Sequence, residues 1–350
     1  MPRILSLLLA ILVLCPNAGA QGPGELEVDS SQLRFYLIQA FQAGSAADRL
    51  ALNHIGIQVV PLADDYLVTA VLEGYPAHQA GINRGDLITA ANGEAFHPVY
   101  SFNQASTDSS PFVPAHAQYD IELERNGDIL SVQVTPVFEN LYDSYRTATL
   151  NSIQQFSSGN KLIGYVRLWG FSRASNDLVS FHQLIDDFAY CDGLIIDLRN
   201  AYGFLDTSHL DLLIPNRRRF FTATGAGSEH VALAFGTQNT VEDSYQKPIA
   251  VLINADTRGG AELFAYQLAK LERVVTIGEA TPGQIGDYRL ISRGASTAFR
   301  YHPAHSIRID GNVFEAQGVT PQQAVTYPYQ QSTRSDPQYE TAVVIMLGII

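Results

Sequence analysis

The stretch VLINADTRGGAELFAYQLAKLERVVTIGEATPGQ, Val251 to Gln284, holds the reading that decides the fold. Its first residues continue the apolar run Pro248–Asn254, short and rich in branched side chains, which reads as a buried strand. The turn residues Asp256, Gly259 and Gly260 follow, and Ala261–Lys270 then has helical composition before a second apolar strand, Arg273–Gly278. A strand, a tight turn, a helix and a further strand imply a parallel α/β unit, with the turn at the carboxyl end of the first strand.

The same alternation extends in both directions. Ile163–Phe171 reads as a strand, Asp177–Ala189 as a helix carrying Leu178, Phe181, Leu184, Ile185 and Phe188 on one side, and Gly193–Asn200 as another buried strand. Upstream, from His54 to Pro136, strands and turns replace helices. Gly56–Val60 and Tyr66–Val71 are strand-like, and Tyr75-Pro76 opens a short segment that Gly81 ends. Asn83-Arg84-Gly85-Asp86 turns into the strand Leu87–Ala91, and Asn92-Gly93 and Asn126-Gly127 are hairpin signals. Residues 101–117 read as a loop, and residues 33–52 as helical pieces broken at Gly44-Ser45.

With 350 residues, 46% apolar and 16% charged, the chain is long enough for two globular domains. A net charge of −13 and a pI near 5.0 leave no broad basic field, which argues against nucleic acid as a partner. The basic run Arg217–Arg219, beside Phe220 and Phe221, reads as a solvated loop or helix end. Arg3, the apolar run Ile4–Cys15 and the small-residue site Ala18-Gly19-Ala20 read as a secretory signal, too short to be a good membrane span. Leu14 is bulky where a lipid-modified Cys15 would need a small neighbour. Removal of this segment leaves Cys191 as the sole cysteine, so no internal disulfide is expected; Asp192 beside it disfavours a reactive thiolate. The apolar end, Ala342–Ile350, is also too short to cross a bilayer and is expected to dock as a terminal helix.

The segment PAHQAGINRGDLITAANG, with its flanking strands, resembles a PDZ domain of the permuted kind found in bacterial proteases. The resemblance implies a groove that receives an extended peptide end by strand addition, with His54, Ile55, Gly56 and Ile57 as the carboxylate-holding loop. From about His54 to Ala342, including Phe314–Val325 and Asp336-Pro337, the chain resembles the C-terminal processing peptidases, or tail-specific proteases. The fold so implied is a crotonase-like α/β peptidase core preceded by a mainly β PDZ domain. The organisation expected is a signal at 1–20, a helical cap at 21–53, the PDZ domain at 54–136 and the protease-like domain at 137–350.

In that family a serine opens the helix and a lysine follows 25 positions later; here those places hold Gly259 and Gln284. Glycine has nothing with which to attack a carbonyl, and an amide is no base near neutral pH. Gly203 and Gly260 are the candidate oxyanion donors, with Phe204 standing where the family has a second glycine. Glu262 suits the first turn of its helix, and Asp197 with Arg199 reads as strand-end scaffold. Thr257 is the nearest hydroxyl in sequence but lies two places from the required position. His54, His182, His209, His230, His302 and His305 read as surface or packing residues in the absence of an adjacent nucleophile. His302 and His305 lack a visible third ligand, and no phosphate loop or dinucleotide fingerprint occurs, so neither metal nor cofactor is expected.

Three functional classes follow. The first is a secreted or periplasmic non-catalytic homologue that binds protein C-termini or unstructured peptides, alone or beside a partner protease. The second is an active serine-type or threonine-type endopeptidase with a non-standard nucleophile, and the third a structural subunit.

Overall fold

A computed structural model describes residues 27–103, 112–172, 175–203, 213, 223–224, 245–294, 296–329 and 335–350. The signal-like segment 1–20 with Cys15, Phe204, His209, Arg217–Arg219, Phe220, Phe221 and His230 lie outside the described residues, as does part of the loop expected at 101–117.

The central feature is a six-stranded sheet in the order 154–158, 161–167, 193–197, 249–253, 274–278, 323–324. Its first pair is antiparallel and every other pair is parallel. Gly193–Asp197 and Ile249–Ile253 are buried along their whole length, which explains their uninterrupted apolar sequences. The sheet begins earlier than the first expected strand, Ile163–Phe171, implies. The strand Gln154–Ser158 is polar and mostly exposed, so it lacks the apolar signal by which a strand is read.

Helices cover both faces of this sheet. On one, Phe181, Leu184 and Ile185 of Ser175–Asp187, with Phe188 just beyond it, join Phe264, Ala265 and Leu268 of Gly260–Leu268 in a single core. On the other, Ala342 and Met346 of the terminal helix Pro337–Ile349 pack against Ile163, Ile195, Ala250, Leu252 and Ile277. The terminal helix is thus docked, and among the described residues no helix is long and apolar enough to cross a membrane.

Residues 57–134 form a second sheet in the order 57–62, 65–71, 87–91, 119–125, 128–134, all antiparallel, with Glu94–Ala95 folded back on 87–91. Ile55, Val68, Ile82, Ile88, Ile121 and Leu123 make its core. The expected hairpins are present: Asn92-Gly93 and Asn126-Gly127 have positive φ at both positions (53° and 77°; 54° and 87°), as a tight two-residue turn requires. Pro76–Gln79 is a single helical turn, closed at Gly81.

An aromatic cluster joins the two sheets. The helix Leu33–Gln42 contributes Phe35, Tyr36, Ile38 and Phe41, which meet Tyr142 and Tyr145 of the helix Leu141–Asn151, Trp169, Tyr202 and Phe299. The paired strands Leu52–His54 and Val137–Glu139 carry the chain into and out of the small sheet. Trp169 donates from Nε1 to Glu73, and Arg167 stacks over its ring at 3.8 Å. On the far side, Arg84 donates to the Tyr327 carbonyl (2.5 Å) and lies 3.9 Å over both the Tyr327 and Tyr329 rings.

Candidate active site

The turn after the strand Ile249–Ile253 is fixed by side chains that fold back on the backbone. Asn254 accepts through Oδ1 from the N–H groups of Asp256 (3.1 Å) and Asn200 (3.0 Å), and donates from Nδ2 to Asn200 Oδ1 (3.0 Å). Asn200 supports this clasp with φ +61°, a conformation asparagine tolerates better than most residues. Thr257 is fully buried; its Oγ1 donates to the Leu198 carbonyl (2.8 Å) and accepts from the Asn254 N–H (3.0 Å). The one hydroxyl near the turn in sequence is therefore engaged in holding it. Arg258 N–H then donates to the Ala201 carbonyl (3.0 Å), bringing the chain alongside Ala201–Gly203.

Gly259 caps the helix Gly260–Leu268 with φ +66° and ψ −130°. Its carbonyl accepts from Glu262 N–H (3.1 Å), while its own N–H donates to the Gln284 carbonyl (3.0 Å). A Cβ at Gly259 would stand 3.2 Å from the Gly203 carbonyl oxygen. The structure thus brings Gly259, Gly260, Gly203 and Gln284 together, and the residue at their centre has no side chain. Gly260 N–H has no hydrogen-bond partner among the described residues.

Glu262 ties the two halves of this arrangement. It is fully buried; Oε2 accepts from Thr281 Oγ1 (2.6 Å) and Gly283 N–H (2.5 Å), and Oε1 from Gln284 N–H (2.8 Å) and more distantly Gly259 N–H (3.3 Å). Burial pushes its carboxyl up to about 7, against four donors that each favour the ionised form. The Gln284 side chain turns to Arg258, whose Nη1 donates to Gln284 Oε1; Arg258 is also paired with Asp256 at 3.0 Å. Asp197 and Arg199, one strand over, form a buried pair that reaches Asp336 and Gln338 of the terminal helix.

The loop His54–Ile57 is equally packed. Gly56 has φ +79°, and a Cβ there would fall 2.3 Å from Tyr75 Cβ, so this position requires glycine. Its N–H donates to His54 Nδ1 (3.1 Å), and the Ile55 and Gly56 carbonyls accept from Ala77 and Leu72. His54 is buried, and its Nε2 meets Ser144 Oγ at 3.0 Å; Ser144 in turn donates to Glu139 (2.7 Å). Burial lowers the His54 imidazole to about 4. The strand Ile57–Leu62 lies at one edge of its sheet, the position from which an added strand can pair. Gln58 on this strand and Asn200 exchange hydrogen bonds: Gln58 Nε2 donates to the Asn200 carbonyl and Asn200 Nδ2 to Gln58 Oε1, both at 3.1 Å.

His182 lies exposed beside Asp186, with Nδ1 3.0 Å from Oδ2. Among the described residues no group of three or more His, Cys, Asp or Glu side chains could hold a metal ion, so His302 and His305 gain no third ligand there. Residues that sequence reasoning passed over are Asn254, Asn200, Gln58 and Arg34. Only Asn254 carried a local signal, an asparagine at a strand end followed by threonine three places later.

Comparison with known proteins places this geometry. The sequence model of peptidase family S41 matches residues 162–325, and that of the PDZ domain matches residues 67–106. The carboxyl-terminal-processing protease of Synechocystis is 26% identical over 318 residues, spanning 85% of this chain and 69% of that protein. Residues 162–325 thus match peptidase family S41, and the chain is similar to the C-terminal processing peptidases. Within that family, the carboxy-terminal processing protease CtpA of Bacillus subtilis is 23% identical over 284 residues, spanning 78% of this chain and 56% of its own. Among solved structures, the photosystem II D1 C-terminal processing protease aligns with a TM-score of 0.51 at 21% identity, covering 82% of this chain and 74% of that one. An S41 protease of Bacteroides fragilis aligns with a TM-score of 0.56 at 17% identity, covering 85% and 84%. These likenesses show the fold: a peptidase core with a PDZ domain.

Proposed function

We propose that this protein is a non-catalytic member of its family, which recognises protein C-termini or extended peptides and does not hydrolyse them. The observation that carries the reading is Gly259 at the helix cap, with the hydroxyl of Thr257 in the preceding turn bonded to the Leu198 carbonyl and that of Thr281 to Glu262. Peptide hydrolysis needs a nucleophile and a base in contact, and Gly259 and Gln284 supply neither. The edge strand Ile57–Leu62 supports recognition by strand addition, with His54–Ile57 as the loop that meets the carboxylate. Gly203 and Gly260 are the oxyanion donors that would outlast the loss of side chains. The N-terminal signal pattern supports a periplasmic or secreted location, where such a protein shields tails or presents them to a partner protease. The domain limits at 20, 53 and 136 and a crotonase-like core belong to the same reading.

The test is direct. Purified protein is mixed with an unstructured peptide bearing a free C-terminus; binding is followed by calorimetry, cleavage by mass spectrometry, and nucleophile reactivity by a fluorophosphonate probe. Binding with neither cleavage nor labelling is expected. Labelling together with cleavage, abolished by a single hydroxyl substitution such as Thr257→Ala, would establish the endopeptidase reading instead.

A complementary expectation concerns Gly259→Ser with Gln284→Lys. Serine at φ +66° is strained by about 1–3 kcal/mol, and its Cβ needs the Gly203 carbonyl to give by a few tenths of an ångström. Lysine at 284 would stand beside the Arg258 guanidinium, which depresses an amine's pKa in the direction a base needs. The doubly substituted protein is expected to fold and to cleave the same peptide slowly but measurably above the unmodified protein. Inertness with the fold intact would mean that the oxyanion side has been lost as well.

A further inference from the structure

Among the described residues, four strands of five or more residues lie at the edge of a sheet: 57–62, 128–134, 154–158 and 287–293. A free edge invites pairing with another chain unless charge, proline or a bulge blocks it. The strand Ile57–Leu62 carries Pro61 and a register shift between Gln58 and Val59. Asp128–Val134 begins on an aspartate and lies beside a strand with exposed Asp120, Glu122 and Glu124. Asp287–Arg293 presents Asp287 and Arg289, both exposed. Gln154–Ser158, with the sequence QQFSS, has no charge, no proline and an unbroken register against 161–165. It alone of the four lacks every such protection.

The turn that follows this strand fixes which of its groups face outward. Gly159-Asn160 joins Ser158 to Lys161 with Gly159 at φ +64°, and the residues closing such a two-residue turn bond to each other. Alternation along an antiparallel pair then turns the main chain of Ser158, Phe156 and Gln154 toward Lys161, Ile163 and Tyr165. The N–H and C=O groups of Gln155 and Ser157 are left at the free edge, with no backbone partner among the described residues. Phe156, at the middle of the strand, is only half-buried, its ring 6.2 Å from that of Tyr339 on the terminal helix.

We propose that a second copy of this chain pairs antiparallel along Gln154–Ser158, about a two-fold axis at Phe156, and joins the two six-stranded sheets into one. The edge is self-complementary. Centred on Phe156, it sets Gln155 of each copy opposite Ser157 of the other, so the outward N–H and C=O groups on both sides find partners. Phe156 then meets its twin in the closer, non-hydrogen-bonded kind of pair, where aromatic side chains attract. Charge favours this occupant as well. A net charge of −13 repels one copy from another, so contact between copies is least opposed at an edge with no charge of its own. The charges that flank the strand are Lys161 opposite Ser158, Asp187 beside Asp186, whose carbonyl accepts from Gln155 Nε2 (3.1 Å), and Glu340, which accepts from Ser335 Oγ (3.2 Å). Antiparallel pairing sets the Lys161 end of one copy against the Asp187 end of the other, so the two ends meet with opposite sign.

Sedimentation equilibrium of the full chain is expected to show a dimer that dissociates on dilution. Ser157→Pro removes an N–H from the free edge and leaves the hairpin bonds of Phe156 and Ser158 in place, so it should weaken the dimer by about tenfold or more while Ser157→Thr keeps it. Far-UV circular dichroism checks that the variant is folded. A second measurement does not depend on that variant. In a Cys15→Ser background, where Cys191 is buried, Phe156→Cys faces its twin across the axis and should give a disulfide-linked dimer on mild oxidation. Gln154→Cys, on the same face and more exposed, lies too far from its twin and should not. A chain that stays monomeric at all concentrations, a dimer untouched by Ser157→Pro, or equal crosslinking at 154 and 156 would overturn the assignment. So would a monomer that crosslinks an added unstructured peptide through Phe156→Cys, since the occupant would then be a peptide. If Ser157→Pro does not fold, the two cysteine variants decide alone.

Discussion

Arg199→Leu is expected to destabilise the folded chain by about 3–5 kcal/mol, the range for removing one member of a buried ion pair. Asp197 is fully buried and accepts from Arg199 Nε (2.9 Å), Nη2 (2.6 Å) and backbone N–H (2.9 Å), with Tyr165 Oη at 2.9 Å. Burial alone would raise the Asp197 carboxyl, but the Arg199 and Arg167 charges outweigh it and hold it below its ordinary value. The stability it contributes is present above the unfolded-state carboxylate range and fades as pH falls through the lowered folded value. Leucine at 199 leaves that carboxylate buried with little compensation. It also releases Asp336 and Gln338, held by Arg199 Nη1 at 3.0 and 3.1 Å, where Asp336 caps the terminal helix through the N–H groups of Gln338 and Tyr339. Urea unfolding followed by Trp169, the sole tryptophan, measures the loss. The control is Asp197→Leu with Arg199→Leu, which removes both charges and should be less damaging than the single change. A single variant as stable as the unmodified chain would show the pair to be dispensable.

Glu262→Gln is the second large effect, and it has a pH signature. The amide presents two N–H donors where the carboxylate accepts four, so about 2–4 kcal/mol should be lost at pH 7 as buried donors go unsatisfied. The folded Glu262 carboxyl is raised from 4.5 to about 7. Its contribution is therefore fully present below pH 4.5 and is lost as pH rises through about 7. His54 acts in the opposite sense: lowered from 6.5 to about 4, it contributes fully above pH 6.5 and loses stability as pH falls through about 4. Between about 4.5 and 6.5 the two slopes overlap and offset one another. Urea melts at pH 5, 6 and 7 should show a shallow dependence in the unmodified chain. In Glu262→Gln, stability should rise with pH over that interval, by up to ~1.4 kcal/mol per pH unit for one proton. An unchanged slope in the variant would mean that Glu262 does not titrate there.

Much of this architecture was legible in the sequence because it is local. The all-buried strands Gly193–Asp197 and Ile249–Ile253 announce themselves by composition, and the two Asn-Gly turns by their need for positive φ. The resemblance to the tail-specific proteases implied that Gly259 and Gln284 share one site; the Gly259 N–H donates to the Gln284 carbonyl at 3.0 Å. What escaped is contact between residues far apart in the chain. Arg34 meets Tyr288 across 254 positions and Gln58 meets Asn200 across 142, and neither pairing leaves a periodic trace. His54 shows the other limit. A histidine beside a glycine is compatible with a binding loop, and only the fold reveals an imidazole sealed between Gly56 N–H and Ser144.

The exchange between Gln58 and Asn200 also bears on how the two sheets can shift. The Gln58 side chain gives to the Asn200 backbone carbonyl and receives from the Asn200 side chain, so it holds both the main chain and the side chain of that residue. Rocking the small sheet against the large one would have to break or carry along both bonds at Asn200. Because Asn200 also grips Asn254, that change would be felt directly at the turn leading to Gly259.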